Sequence, residues 1–275
     1  EAIYIKLSNP INKCYLLFLE FVLPYLVDLN VEFQSECPKV HVLYQRMSLL
    51  YRTILEFYMK VNYVKTTNID VIEYRNPRYF LNLNEMYLGP KLAVEFATHG
   101  KYTETEKEEF RKRCLDFYIE CISQINKRFL FQSNFVKSLK LLEFMDPKKI
   151  ESIASLGPIA ISFPIFVNDM NDLDKEWRLL KASQIHNNTS KDVIEFWNEV
   201  REQRKGDDSE TFPHLNKLIR YIFTLPHSSA SVERIFSQIN LNKTKIRNQL
   251  SAESLTGILH TKRYISSQGK HCFDY

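Results

Sequence analysis

Behind Thr103 the apolar residues Phe110, Cys114, Phe117, Cys121 and Ile125 recur at spacings of three and four. That period places them on one face of a helix and on neither face of a strand. Thr103 followed by Glu106 is a capping-box pattern, in which hydroxyl and carboxylate each satisfy a backbone donor at the helix start. A helix of this length needs apolar partners, and the chain supplies stripes of the same period. Asn9 to about Phe33 is rich in Leu, Phe and Tyr, with Pro24 expected to kink or split it. Pro38 is placed to open a second helix running toward Val61 through Val42, Leu43, Leu49, Leu50, Ile54 and Phe57. Shorter helices are expected from Asn134 to Phe144 and, after Asp146-Pro147, to about Ala154. Val193, Phe196, Trp197 and Val200 form a further stripe, and Leu215, Leu218, Ile219 and Ile222 form the next. With only 6 Gly in 275 residues, the composition fits a mostly helical protein better than a turn-rich β architecture, and the fold class read from the chain is all-α or nearly so.

Between these stripes, Lys65 to Leu88 is Asn-rich and aperiodic and reads as a long connection with one short helical turn. Leu156 to Val167, broken by Gly157, Pro158 and Pro164, reads as a buried irregular connection. The polar run Arg204 to Glu210 reads as a linker. The apolar run from Cys14 to Val27 is interrupted by Glu20 and Pro24, so it is expected to be a buried helix that does not cross a bilayer. Cys14, Cys37, Cys114, Cys121 and Cys272 form no CxxC pair and are odd in number, which argues for a reducing compartment. The first residue is Glu1, so a piece of a longer protein is expected. The net charge is +4, and seven basic residues but only three acids lie beyond Pro226, so the whole excess sits there. Such a balance is compatible with phosphate contacts.

The stretch Leu225 to Ile265 concentrates the chemistry. Glu233 has Ser229 four residues before it and Ser237 four after, so the three share a polar face, and Val232, Phe236 and Ile239 are expected to face inward. Two readings of Glu233 stay open, a ligand for a divalent cation and a solvated surface charge. Ser251 is a suitable N-cap for a last helix, with Glu253 in its first turn, Lys262 and Arg263 in its last, and Leu250 and Leu255 at hydrophobic-staple positions. Val232, Ile235, Phe236, Ile239, Leu255, Ile258 and Leu259 are therefore core or dimer residues, and Trp197, like Trp177, reads as a core or interface anchor. The connector residues Lys243, Lys245 and Arg247 are the phosphate-contact candidates, against the alternative of a solvated joint. Cys37 and His41 are four apart but lack a second pair at zinc-finger spacing. His227 lies beside serines without an acid to orient it, and capping accounts for those serines.

Trp197, the Phe212-Pro213-His214-Leu215 block, the Ser228 to Ser237 run with its Ala-Ser-Val-Glu-Arg-Ile-Phe-Ser core, Arg247, Leu250 and the closing Leu-rich helix resemble the C-terminal dimerisation region of hAT-superfamily transposases. The likeness spans roughly Ile185 to Ile265. The segment Glu1 to Gln184 is similar in character to the helical insertion that interrupts the ribonuclease-H-like domain of that superfamily. The implied layout is an insertion-like region over 1–184, the dimerisation region over 185–265 and a tail over 266–275. The resemblance implies a dimerisation module of a transposase or a domesticated derivative, with itself and DNA as partners, no membrane, and a nuclear location. It also implies a mechanism in which three acids hold Mg²⁺ or Mn²⁺. Glu233 matches the third of these. No strand-borne aspartate precedes the helical part, and Asp28 and Asp70 are poor substitutes, so no cofactor and no catalysis are expected of this chain alone. A part of a nuclease site completed by upstream strands, and a pure protein-interaction domain, are the alternatives.

Overall fold

The computed structural model describes residues 9–35, 37–98, 102–167, 169–183, 185, 192–243, 249–271 and 273, and all of these form helices, turns and loops, with no strand among them. The fold is all-α. Helix α1 spans Pro10–Phe33, opened by the Asn9 side chain, which accepts from the Ile11 N–H at 3.0 Å. Pro24 neither splits nor ends α1. It is exposed, so the helical bond it removes lies on the solvent side, where water replaces it. The expected interruption of the apolar run is therefore absent, and α1 is by length and composition the one helix among the described residues that would suffice to cross a membrane. Nor is α1 a buried helix throughout. Only its Cys14, Phe18, Val22 and Phe33 positions are buried.

Those residues enter a first core with α2 (Val40–Glu56), the short α3 (Val61–Thr66), α4 (Pro90–Thr98) and α5 (Glu104–Arg128). The capping box at Thr103 forms in full: Glu106 N–H donates to the Thr103 hydroxyl at 3.2 Å, and Thr103 N–H to the Glu106 carboxylate at 2.9 Å. On α5 the most deeply buried line is Phe110, Cys114, Tyr118 and Ile122, with Phe117, Cys121 and Ile125 flanking it. Phe18 sits edge-on to Phe117 and Tyr118 at 5.4 and 5.3 Å between ring centres. The connection after α3 is ordered by this core through polar contacts. Buried Tyr58 donates to the Tyr74 carbonyl at 2.9 Å, Tyr118 to the Tyr87 carbonyl at 2.7 Å, and Arg52 reaches the carbonyls of Val64 and Thr67.

Helix α2 begins at Val40, two residues beyond Pro38, and its first turn belongs to the second core. His41 there is only 6 % exposed, its Nδ1 has no hydrogen-bond partner, and burial pushes its pKa below the ordinary 6.5. The second core gathers α6 (Asn134–Leu139), two 3-10 turns (Lys140–Met145 and Pro147–Ser152), α7 (Gly157–Ser162), α8 (Met170–Ala182), α9 (Val193–Glu202) and α10 (Pro213–Thr224). Phe144 lies between two indoles, 5.8 Å from Trp177 and 6.0 Å from Trp197. Each indole N–H is satisfied, by the Ile153 carbonyl at 3.0 Å and the Met145 carbonyl at 2.9 Å. This core continues across residue 184, since Leu173, Trp177 and Leu180 pack with Phe196, Trp197 and Val200.

Two connections differ from expectation. Leu156 to Val167 contains helix α7 and a 3-10 turn at Pro164–Phe166, because Pro158 and Pro164 each stand near a first helical position, where the missing N–H costs nothing. Its Ile161 and Ile165 are exposed rather than buried. Arg204 to Glu210 is not a linker. Arg204 and Glu210 form an antiparallel bridge, Lys205 N–H reaches the Ser209 carbonyl at 2.9 Å, and Asp208 takes φ 64° to close the turn, which returns the chain to start α10 beside α9.

The start of α10 is held from α8. Pro213 has no N–H to satisfy, and the next two, of His214 and Leu215, donate to the buried Glu176 carboxylate at 3.1 and 2.8 Å, while His214 Nδ1 lies 2.8 Å from the same group. Glu176→Ala orphans these donors and is expected to lower unfolding free energy by about 3 kcal/mol, with Glu176→Gln losing less, as read by urea denaturation. His41 gives a pH dependence. Its folded pKa is depressed, so below pH 6.5 the unfolded chain takes up a proton that the folded chain resists, and stability present above 6.5 is lost as pH falls. Thermal melting should show a smaller loss between pH 7 and 5.5 for His41→Gln than for the unaltered protein.

Candidate functional site

Beyond α10 the packing changes. Helix α11 (Ala230–Asn242) and helix α12 (Ala252–Ser267) pack on each other, and Lys262 Nζ donates to the Asn242 side chain at 3.1 Å across the pair. Asn242 is the one buried side chain described on the two helices. The inward orientation expected of α11 is not found: Val232, Ile235 and Phe236 are 51, 46 and 59 % exposed, and Leu241 is 78 % exposed. Ile239, and on α12 Leu255, Ile258 and Leu259, are half-buried. Helical period fixes that these residues share faces, but whether anything covers a face depends on the neighbouring helices. Trp197, by contrast, is a core residue.

The first turn of α11 docks against the end of α1. Arg234 Nη1 donates to the Gln34 carbonyl at 2.9 Å, His227 Nε2 lies 3.1 Å from the Ser35 carbonyl, and the His227 ring is 6.2 Å from Phe33. This assigns His227 to a structural contact. The serines cap less than expected. Ser229 has no side-chain capping bond and instead gives its hydroxyl to Glu233, leaving only a 3.4 Å contact from Ala230 N–H to Ser228. Ser251 does cap α12, accepting from Ser254 N–H at 3.1 Å. α12 runs on to Ser267, so Lys262 and Arg263 stand before its last turn rather than in it.

Glu233 is exposed in the first turn of α11, where a negative charge is favoured by the helix dipole. No group of three His, Cys, Asp or Glu residues with metal-holding geometry occurs among the described residues. A lone carboxylate does not satisfy a cation that requires about six oxygens. Asp28 lies on α1 and Asp70 is paired with Lys137 at 2.7 Å, so neither joins Glu233. Cys37 is exposed while His41 is buried, and neither belongs to a group of three such residues among those described. Lys243 is exposed at the end of α11, and Lys245 and Arg247 lie outside the described residues.

Glu176 was not legible as a functional acid, although a signal exists. It stands three residues after Leu173 and one before Trp177, on the inward side of α8, and a carboxylate there needs donors. The Phe212-Pro213-His214-Leu215 block supplies them: Phe212 is buried, Pro213 opens the helix, and His214 and Leu215 present their N–H groups to Glu176.

Neither a curated protein nor a solved structure matches the chain. Residues 172–265 match the family model described as the hAT family C-terminal dimerisation region, beginning at Asp172 within α8 rather than at Ile185. The match thus takes in Glu176, the Phe212 to Leu215 block and both surface helices, and residues 172–265 are similar to a hAT family C-terminal dimerisation region.

Proposed function

We propose that α11 and α12 form the face through which two copies of the chain associate, and that the connector between them lies against DNA. The observation that carries the first statement is the exposure of Val232, Ile235 and Phe236 on one side of a helix whose described neighbours leave them bare. Contiguous apolar side chains of this size on a soluble protein mark an interaction surface. Phe236 is the expected anchor, since aromatic residues dominate interface energetics. The bearing of α8 to α10 is indirect: they build the rigid second core from which α11 departs.

For the connector, the support is charge. The chain's whole basic excess lies beyond Pro226, with Lys243 exposed at the end of α11. Phosphate contacts of this kind position a duplex without reading its sequence. Glu233 keeps a further role by resemblance, as a carboxylate that joins a Mg²⁺ or Mn²⁺ site only when other acids of a parent transposase complete it. Within that same reading, α9 to α12 correspond to the C-terminal helices of a ribonuclease-H-like core, residues 1–184 to an insertion, and the place of work is the nucleus, in an active element or a domesticated descendant.

Sedimentation equilibrium of the chain at micromolar concentrations is expected to show a dimer, with Phe236→Asp raising the dissociation constant at least tenfold, about 1.4 kcal/mol, at an unchanged circular dichroism spectrum. A monomer throughout that range overturns the association. Binding to a duplex of arbitrary sequence is expected to fall steeply with salt, and neutralising Lys243, Lys245 and Arg247 together should reduce the log–log salt slope by about 2 to 3. An unchanged slope removes the connector from the contact.

A further inference from the structure

Helix α12 carries a face that its own chain does not use. Leu255, Ile258, Leu259 and Ile265 are half-buried, and Lys262, on their side, donates to Asn242 of α11 at 3.1 Å. The helical period sets Gly257, His260 and Tyr264 on the opposite side, with Arg263 and Ser267 flanking them, and all five are exposed. Glu253 in the first turn closes this face, and from Ser254 to Phe273 no Asp or Glu follows, although the chain holds 33 in 275 residues. Leu259 and Ser267, four residues to either side of Arg263, offer it no ion pair. His260, Arg263 and Tyr264 have no side-chain partner among the described residues.

Gly257 is the second observation. Among the described glycines it alone stands in a helix interior, it takes no positive φ, and a Cβ there would meet nothing within 4 Å. Neither a turn nor a close neighbour requires it, and glycine in a helix interior weakens the helix relative to alanine. The helix dipole accounts for Lys262 and Arg263 toward the C-terminus, but it does not account for this glycine. A missing side chain lets another molecule come up against the helix backbone.

We propose that this face of α12 is a docking site for the sugar–phosphate backbone of duplex DNA, which lies against Gly257 while His260, Arg263 and Tyr264 hold its phosphates. The inference extends the reading of the connector as a DNA contact and rests on it for the partner. Position is the first support. The bond from Lys262 to Asn242 brings the second half of α12 beside the end of α11, where exposed Lys243 begins the connector. Chemistry is the second. Arg, Tyr and other side-chain donors are the groups that reach phosphate oxygens, and the acid-free run removes what would repel them. From Gly257 to Tyr264 the face runs about 10 Å, the height of about three base pairs.

A second copy fits the same face less well, because it brings the same cations to it. A lipid surface fits less well too. Helices in a membrane interface bury an apolar side in the acyl boundary, and the apolar side of α12 is half-buried within the protein.

Fluorescence anisotropy with a labelled duplex of arbitrary sequence tests this on the full chain, with thermal melting as the check of fold. Gly257→Gln puts a good helix former on the face, so it is expected to melt no lower than the unaltered chain and yet to weaken DNA binding at least tenfold. A glycine without a partner gives the opposite result, a firmer helix with binding unchanged. Arg263→Gln is expected to reduce the log–log salt slope by about 1. If both variants bind like the unaltered chain while neutralising Lys243, Lys245 and Arg247 weakens binding, the α12 face fails and the connector stands. If only the α12 variants lose binding, the connector reading fails and α12 is the DNA face by itself. A chain that binds no duplex at low salt overturns both. Sedimentation equilibrium of Gly257→Gln is expected to match the unaltered chain, and lost association at unchanged DNA binding gives the face to a second copy. Binding to phosphatidylcholine–phosphatidylserine vesicles that Arg263→Gln abolishes, with the duplex unbound, assigns it to lipid instead.

Discussion

The carboxylate of Glu176 holds the C-terminal half of this protein in register. It projects from α8 into a second core built of Phe144, Trp177 and Trp197, and there it accepts the first free N–H groups of α10. A buried carboxylate without donors is costly, and a helix start buried without acceptors is costly too, so each defect is removed only by the other. The arrangement fixes both the position and the direction of α10. Everything after Leu225, including the surface helices, takes its starting point from that helix. The turn at Arg204 to Glu210 works toward the same end, bringing Phe212 and Pro213 to the mouth of the carboxylate, with Glu210 also accepting from the buried Asn216 at 3.0 Å.

The family-matched region thus divides by burial into two physically different parts. From α8 to α10 it places Leu173, Trp177, Phe196, Trp197, Leu215 and Ile222 in the core, while among the described residues α11 and α12 add only Asn242 to the buried set. Core residues fix a shape, and bare apolar residues on a rigid shape define a surface for something else. On the proposed reading dimerisation belongs to the second part, and the first part is its foundation. The patterns that make the region recognisable come from both: Phe212-Pro213-His214-Leu215 answers Glu176, and the Val232 to Phe236 face is directed outward.

What could be read from the sequence was what local physics decides. The capping box at Thr103 needs only residues three apart, and the helical period of α5 needs only its own residues, so both were legible before any neighbour was known. Cap and stripe also gave Ser251 and the apolar line of α10. What the sequence could not carry was the identity of the neighbours. Pro24 reads as a breaker, and it is tolerated because its side of α1 is wet, a fact set by where α4 and α5 pack. Val232 and Phe236 read as inward because amphipathic helices usually face their own core, and the direction failed since no other described helix lies over them. Glu176 was hidden for the opposite reason, because an acid on a helix usually faces water, and its donors stand 38 and 39 residues away. Glu233 has a recognisable position in a motif, while a metal site depends on carboxylates converging in space, which one helix does not determine.

Helix α12 ties these strands of reasoning to association. It has 16 residues, a well-formed cap at Ser251 and no buried side chain. Isolated helices shorter than about 12–15 residues are marginal in water, and α12 is scarcely longer, so a cap and a single packed neighbour give it little reserve. Its half-buried Leu255, Ile258 and Leu259 gain burial when another surface covers the α11–α12 pair. Whatever binds the ordered form and not the frayed form stabilises it by mass action. On the proposed association, order in α12 and occupancy of the face are two readouts of one equilibrium, whereas the α8–α10 core draws its buried residues from neither helix.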